Sequence, residues 1–116
     1  MQSNIYGKKG EIIAVNYLKQ KGYKILETNH KNKVGEIDII AQDKDYLVFV
    51  EVNARLSRAF GDPLEIVDFR KQQKLTKVAQ LYLILKHKTE AKCRFDVVSI
   101  LGDENPKITH IENAFQ

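Results

Sequence analysis

The chain has no tryptophan, one methionine, two prolines and one cysteine among 116 residues. A lone cysteine, Cys93, rules out an internal disulfide framework and fits a reducing, cytoplasmic compartment, where a buried structural thiol is the expected role. With so little proline, and six glycines scattered along the chain, no linker-like stretch marks a second domain. One domain over residues 1–116 is the expectation. No apolar run approaches the roughly 18 residues of a membrane span, and MQSNIYGKKGE at the start lacks the apolar core of a signal peptide. There is no glycine-rich phosphate loop of the NTPase type. Helix-turn-helix, zinc-finger and RNP-type aromatic motifs are also missing, so sequence-specific base reading is not expected. His30, His87 and His110 have no metal-ligand spacing, and a surface position is expected for His30.

What is present is the composition of a soluble globular domain: 43% hydrophobic and 29% charged residues, with a net charge of +4. That bias is compatible with a nucleic-acid partner without requiring one. Ser3 can cap a helix that runs to about Lys21, where Gly22 stops it, with Ala14, Val15 and Leu18 on one stripe. Tyr23–Asn29 reads as a short strand and NHKNKVG as a basic turn. Glu36–Gln42 and Tyr46–Asn53 read as strands around the polar DKD turn. A loop through Gly61 and Pro63 leads to a second helix over Asp68–Lys86. Leu75, Val78, Ala79, Tyr82 and Leu85 share one stripe of it. Its second half, LYLILK, is apolar on most sides, which points to deep burial or a homodimer contact. Arg94–Leu101 and Ile108–Ile111 complete the strands, around a GDENPK turn. The order αβββαββ defines an α/β fold, a mixed sheet with flanking helices.

Acids interrupt two of the apolar strands: Asp38 in GEIDIIA and Glu51 in LVFVEV. Either a two- or a four-residue loop around Lys44 and Asp45 gives paired residue numbers a constant sum, which sets Asp38 opposite Glu51. Opposed residues share a face with Cβ atoms about 4.5–5.5 Å apart. Two carboxylates so close repel, and a shared proton, a basic side chain or a divalent cation must offset that. Mg²⁺ is served by one or two carboxylates plus phosphate oxygens. Period-two alternation puts Asn53 on the same face as Glu51, with Val50 and Val52 on the other. Glu11 shares a helix face with Ala14, Val15 and Leu18, so a helix packed on the sheet can aim it at the acids. The same pattern also fits acids on an exposed sheet face, and Glu11 as a surface acid paired with Lys8. Asp96, beside Arg94, is expected to anchor a hydrogen bond or ion pair under the sheet.

GEIDIIA, LVFVEV with a following basic residue, G-D-P, a basic helix, RFDVVSI and HIENAF together resemble the YraN-like family of small uncharacterised proteins. The likeness runs over nearly the whole chain, from GKKGEIIAVNYLKQKGYKIL onward. It implies a restriction-endonuclease-like fold of the PD-(D/E)xK type, similar to archaeal Holliday-junction resolvases. Carried over by position, it implies a metal site of Glu11, Asp38 and Glu51, holding Mg²⁺ or Mn²⁺, for hydrolysis of DNA phosphodiesters. Branched or single-stranded DNA is the substrate class it suggests.

One position departs from that pattern. Where the family usually has Glu-Val-Lys-Thr-Arg, this chain reads EVNAR, so Asn53 stands in the lysine's place. Asparagine can hydrogen-bond a water but carries no charge, and losing one such group typically costs around 10²–10³ in rate. Arg55, Lys71 or Lys74 could supply a replacement cation. Arg70, Lys74 and Lys77 line one face of the second helix with Lys71 beside them, and Lys31 and Lys33 lie in the first turn. These are candidate phosphate contacts, although solvated lysines have the same appearance. The sequence therefore leaves three functions to separate: a metal-dependent endonuclease, a nucleic-acid-binding module that has lost cleavage, and a protein-interaction role through LYLILK.

Overall fold

The computed structural model describes residues 2–56 and 68–115, with backbone alone for residues 2–6. The loop expected through Gly61 and Pro63 lies outside these residues. Helix α1 (Gln2–Gln20) leads to β1 (Lys24–Lys31), β2 (Glu36–Asp43) and β3 (Tyr46–Arg55); α2 (Phe69–Leu85), β4 (Lys92–Leu101) and β5 (Lys107–Phe115) follow. The five strands form one sheet in sequential order. All neighbours are antiparallel except β3 and β4, which are parallel and joined through α2. The expected αβββαββ order and mixed sheet are borne out.

Each helix ends where its sequence dictates. Gly22 adopts φ +96°, a conformation cheap only for glycine. The Gly22 amide donates to Lys19 O and the Tyr23 amide to Leu18 O, at 3.0 Å each, which closes α1 with a Schellman motif. Asp68 caps α2, its carboxylate accepting from the Lys71 amide at 2.9 Å. The helix thus occupies the expected span, between Asp68 and Lys86 as caps.

The sheet divides the apolar residues into two layers. On one face Ala14 and Leu18 of α1 pack with Ile39, Ala41, Val48, Val50, Val98 and Ile100. On the other, Leu75, Val78, Ala79 and Tyr82 of α2 pack with Ile37, Ile40, Leu47, Phe49 and Val97. Burying a side chain such as Phe49 contributes roughly 2–3 kcal/mol. Two close approaches fix the helix positions. A Cβ on Gly10 would stand 2.5 Å from Ala54 Cβ, so α1 lies directly on β3 there. A Cβ on Gly35 would stand 3.0 Å from Lys74 Cε and 3.1 Å from Val78 Cγ2, so α2 rests on the β1–β2 turn.

Several expectations need correction. β1 runs on to Lys31 and β5 covers Lys107–Phe115, both longer than the sequence pattern suggested. Turn-like residues in a strand are the reason: Asn29 and Asn113 adopt positive φ without ending their strands. Of LYLILK, Tyr82 is buried and Leu83 packs against the core, whereas Ile84 and Leu85 are exposed. His30 is not a surface residue, and His110 is buried at its ring. The His30 side chain is 12% exposed and bonded to Glu27 and Asn32, and that of His110 is 3% exposed. Cys93 is half-buried against the α2-side core. Among the described residues, no helix is long and apolar enough to cross a membrane.

Candidate functional site

The hairpin register is the computed one. Pairs run from Asp43–Tyr46 to Ile39–Val50, and Asp38 and Glu51 occupy the next position. There the backbone ladder ends, and the Asp38 carboxylate takes over. Its Oδ2 accepts the Val52 amide at 2.8 Å. Ile37 packs in the α2-side core and Ile39 in the α1-side core, although residues two apart in a regular strand share a face. The strand therefore turns over at Asp38, opposite left-handed Asn29 on β1. This leaves the Asp38 carboxylate where β2 and β3 part within the sheet, lining a cleft on either side.

Two clefts meet at Asp38. One, of about 410 Å³, is lined by Lys31, Gly35, Glu36, Asp38, Glu51, Lys71, Lys74 and Leu75. The other, of about 300 Å³, brings Gly7, Glu11, Val52, Asn53, Ala54 and Arg55 to the same aspartate. Glu51 and Asn53 are each 8% exposed. Burial and the neighbouring Glu51 charge push the Asp38 carboxyl up to about 7, against the opposing Val52 hydrogen bond and the Lys71 charge. Glu11 is shifted upward as well, first by burial and then by the charges of Asp38 and Glu36, with Lys8 opposing. Lys71, held in the first turn of α2, forms an ion pair with Glu51.

The predicted residues thus separate into groups. Asp38 and Glu51 are brought together, and Glu11 and Asn53 reach the same aspartate from the α1 side. Lys31, Lys71 and Lys74 border the acids, and Arg55 lies beside Asn53. Arg70 and Lys33 are exposed and line neither cleft. Lys77 faces a separate groove with Phe69 and Gln80. Glu36, which the sequence reading did not single out, lines the larger cleft and pairs with Lys31 at 3.8 Å. Its position at the start of GEIDIIA was the available signal.

The donor set fits a divalent cation in part. Among the described residues, no three His, Cys, Asp or Glu side chains converge into a ready-made cage. Two carboxylates at a cleft floor are nonetheless the usual protein share of a Mg²⁺ site, with water and phosphate completing it. Glu11 Oε1 and Asn53 Nδ2 are buried with no hydrogen-bond partner. Unmet polar atoms in a native interior call for a water, an ion or a ligand. Asp38, Glu51 and Glu11 are the residues that would hold the ion.

The class defined by this arrangement is a small α/β protein, with a helix-covered mixed sheet and paired carboxylates in a cleft where β2 and β3 part. A model of the uncharacterised protein family UPF0102 matches residues 10–100. A UPF0102 protein of Thermodesulfovibrio yellowstonii is 53% identical over 109 residues, covering 94% of each chain. One of Caldanaerobacter subterraneus subsp. tengcongensis is 50% identical over 113 residues, covering 94% of this chain and 93% of that one. The chain belongs to the UPF0102 family. Among solved structures, Pyrococcus furiosus SfsA in complex with Ca²⁺ aligns over 95% of this chain and 63% of its own, at 13% identity and a TM-score of 0.37. A likeness that distant carries no argument about this site.

Proposed function

We propose that the cleft where β2 and β3 part binds a divalent cation, Mg²⁺ or Mn²⁺, and acts on nucleic-acid phosphodiesters, with DNA as the expected partner. The observation that carries this reading is the Asp38–Glu51 pair. A fold gains nothing in stability by facing two half-buried carboxylates at each other, one of them pushed up to about 7. A bound cation supplies charge for the phosphate and acidifies water. The chain's own groups do the rest. Asp38 is oriented by the Val52 amide. Glu11 adds an unpartnered carboxylate oxygen from α1. Lys31, Lys71 and Lys74 border the acids, where they can hold phosphate oxygens.

Asn53 favours a second reading, a nucleic-acid-binding module without efficient cleavage. The amide has no proton to exchange usefully and no charge for the phosphate. An assay over linear, branched and single-stranded DNA, with Mg²⁺ or Mn²⁺, separates the two. Turnover lost in Asp38→Ala supports the endonuclease, and Asn53→Lys is then expected to raise the rate. Salt-dependent DNA binding without turnover supports the binding module. If the protein neither binds DNA nor takes up either metal ion in calorimetry, both readings are wrong.

A further inference from the structure

We propose that Lys71 is an exchangeable counter-ion: its ammonium holds the Glu51 carboxylate until a divalent cation takes that place, and the released ammonium then serves as a phosphate ligand in the same cleft. This deepens the reading above and rests on it. The Lys71–Glu51 pair spans two elements, α2 and β3, and the lysine side chain remains 42% exposed while that of Glu51 is only 9% exposed. The carboxylate is therefore fixed in the wall and the ammonium is the partner that can leave. The open ammonium end of the pair is screened by solvent, and a divalent ion that engages Glu51 and Asp38 together outcompetes a single ammonium.

Charge in the cleft points the same way. Lys31, Lys71 and Lys74 face Glu36, Asp38 and Glu51, so the lining carries no excess of negative charge. Adding a divalent ion makes the cleft more positive and frees the lysine paired with Glu51. Lys71 cannot go far, because its backbone amide is fixed by the Asp68 cap at 2.9 Å. Lys74, one turn further on, is held differently. Its stem lies over Gly35, and it has no ion pair with Glu51. Cation and phosphate should then bind with positive coupling, the first removing a competitor for the second.

The test is calorimetry with Mn²⁺ alone on wild type, Lys71→Met and Lys74→Met, followed by Mg²⁺ with inorganic phosphate. Exchange predicts that Lys71→Met binds Mn²⁺ about threefold more tightly or better, since about 0.7 kcal/mol of competition is removed, while Lys74→Met changes affinity by clearly less. It also predicts that Mg²⁺ strengthens phosphate binding in wild type and not in Lys71→Met. Equal tightening in both variants would mean general charge repulsion and would overturn the exchange. Unchanged or weaker Mn²⁺ binding in Lys71→Met would overturn it too, with the cation site left standing. If Mn²⁺ binds neither wild type nor Lys71→Met, the cation site itself is wrong. Wild-type circular dichroism and melting in each variant exclude misfolding as the cause.

Discussion

Two groups of acids sit on neighbouring strands of the same sheet, Asp96 level with Val50 and Glu51 one residue further along β3, and they are built on opposite terms. Asp96, 1% exposed on β4, receives Arg94 Nε at 2.9 Å and Nη2 at 3.0 Å. His110 Nε2 lies 2.7 Å away, and the Asn113 amide donates at 3.0 Å. Arg94 also reaches Asp43 at 3.1 Å and the Tyr23 hydroxyl at 2.7 Å, and Tyr23 donates to Glu112 at 3.2 Å. Burial alone would push the Asp96 carboxyl upward, but the His110, Arg94 and Asn113 bonds outweigh it and hold the carboxyl below its ordinary range. Asp38, by contrast, is pushed upward by burial and by Glu51, and Glu11 Oε1 and Asn53 Nδ2 have no partner. The Asp96 carboxylate is surrounded by donors that the chain itself provides. The carboxylates around Asp38 are left short of them, which is what the proposed cation would supply.

The contrast can be broken most decisively at Asp96. Asp96→Ala strands Arg94 in a largely buried position and should cost about 3–5 kcal/mol in urea unfolding; a loss under about 1 kcal/mol would show that the network is not structural. The next largest effect is in pH, measured with a chelator present. Asp96, lowered in the fold, contributes stability that is complete above its ordinary value of 3.8 and is lost as pH falls through its lower native value. Asp38, raised to about 7, does the reverse. The folded protein holds that proton more tightly than the unfolded chain, so stability declines as pH rises from 3.8 towards 7. Together the two groups place the stability maximum near pH ~4, and a flat profile from pH 4 to 7 would contradict the assignment of Asp38.

Asp38→Asn sharpens the same point on a smaller scale. It keeps an acceptor for the Val52 amide and removes the repulsion, so it should raise stability at pH 8 by about 1 kcal/mol and flatten the neutral limb of the profile while abolishing Mn²⁺ binding. Smallest of all is Lys21→Ala. Lys21 Nζ stands 2.9 Å from His110 Nδ1 at the exposed rim of the Asp96 network, and melting should register a change within about 0.5 kcal/mol. A larger loss would mean that the network extends to its rim.

The pairing of Asp38 with Glu51 was legible in the sequence because hairpin register follows from turn length and residue number alone. Asp96 as a buried anchor was legible from its place in an apolar strand beside arginine. Other features depended on contacts between distant segments. The Lys71–Glu51 pair joins residues 20 apart through the way α2 lies on the sheet, and sequence spacing could name Lys71, Lys74 and Arg55 only as equals. The reversal of faces between Ile37 and Ile39 came from backbone twist opposite Asn29, which residue alternation does not encode. The place of His110 in the Asp96 network was not legible, because its partners, Asp96 and Tyr23, lie on other elements of the chain.

Gly10 carries one more lesson. The helix that bears Glu11 touches β3 through a residue with only hydrogen for a side chain, at a separation that leaves no room for a methyl group. The reach of Glu11 is thus set by its neighbour's lack of bulk. Gly10→Ala would force α1 and β3 apart and withdraw Glu11 from Asp38. In a screen for cation binding it would score with the carboxylate variants, although it alters no atom of their side chains.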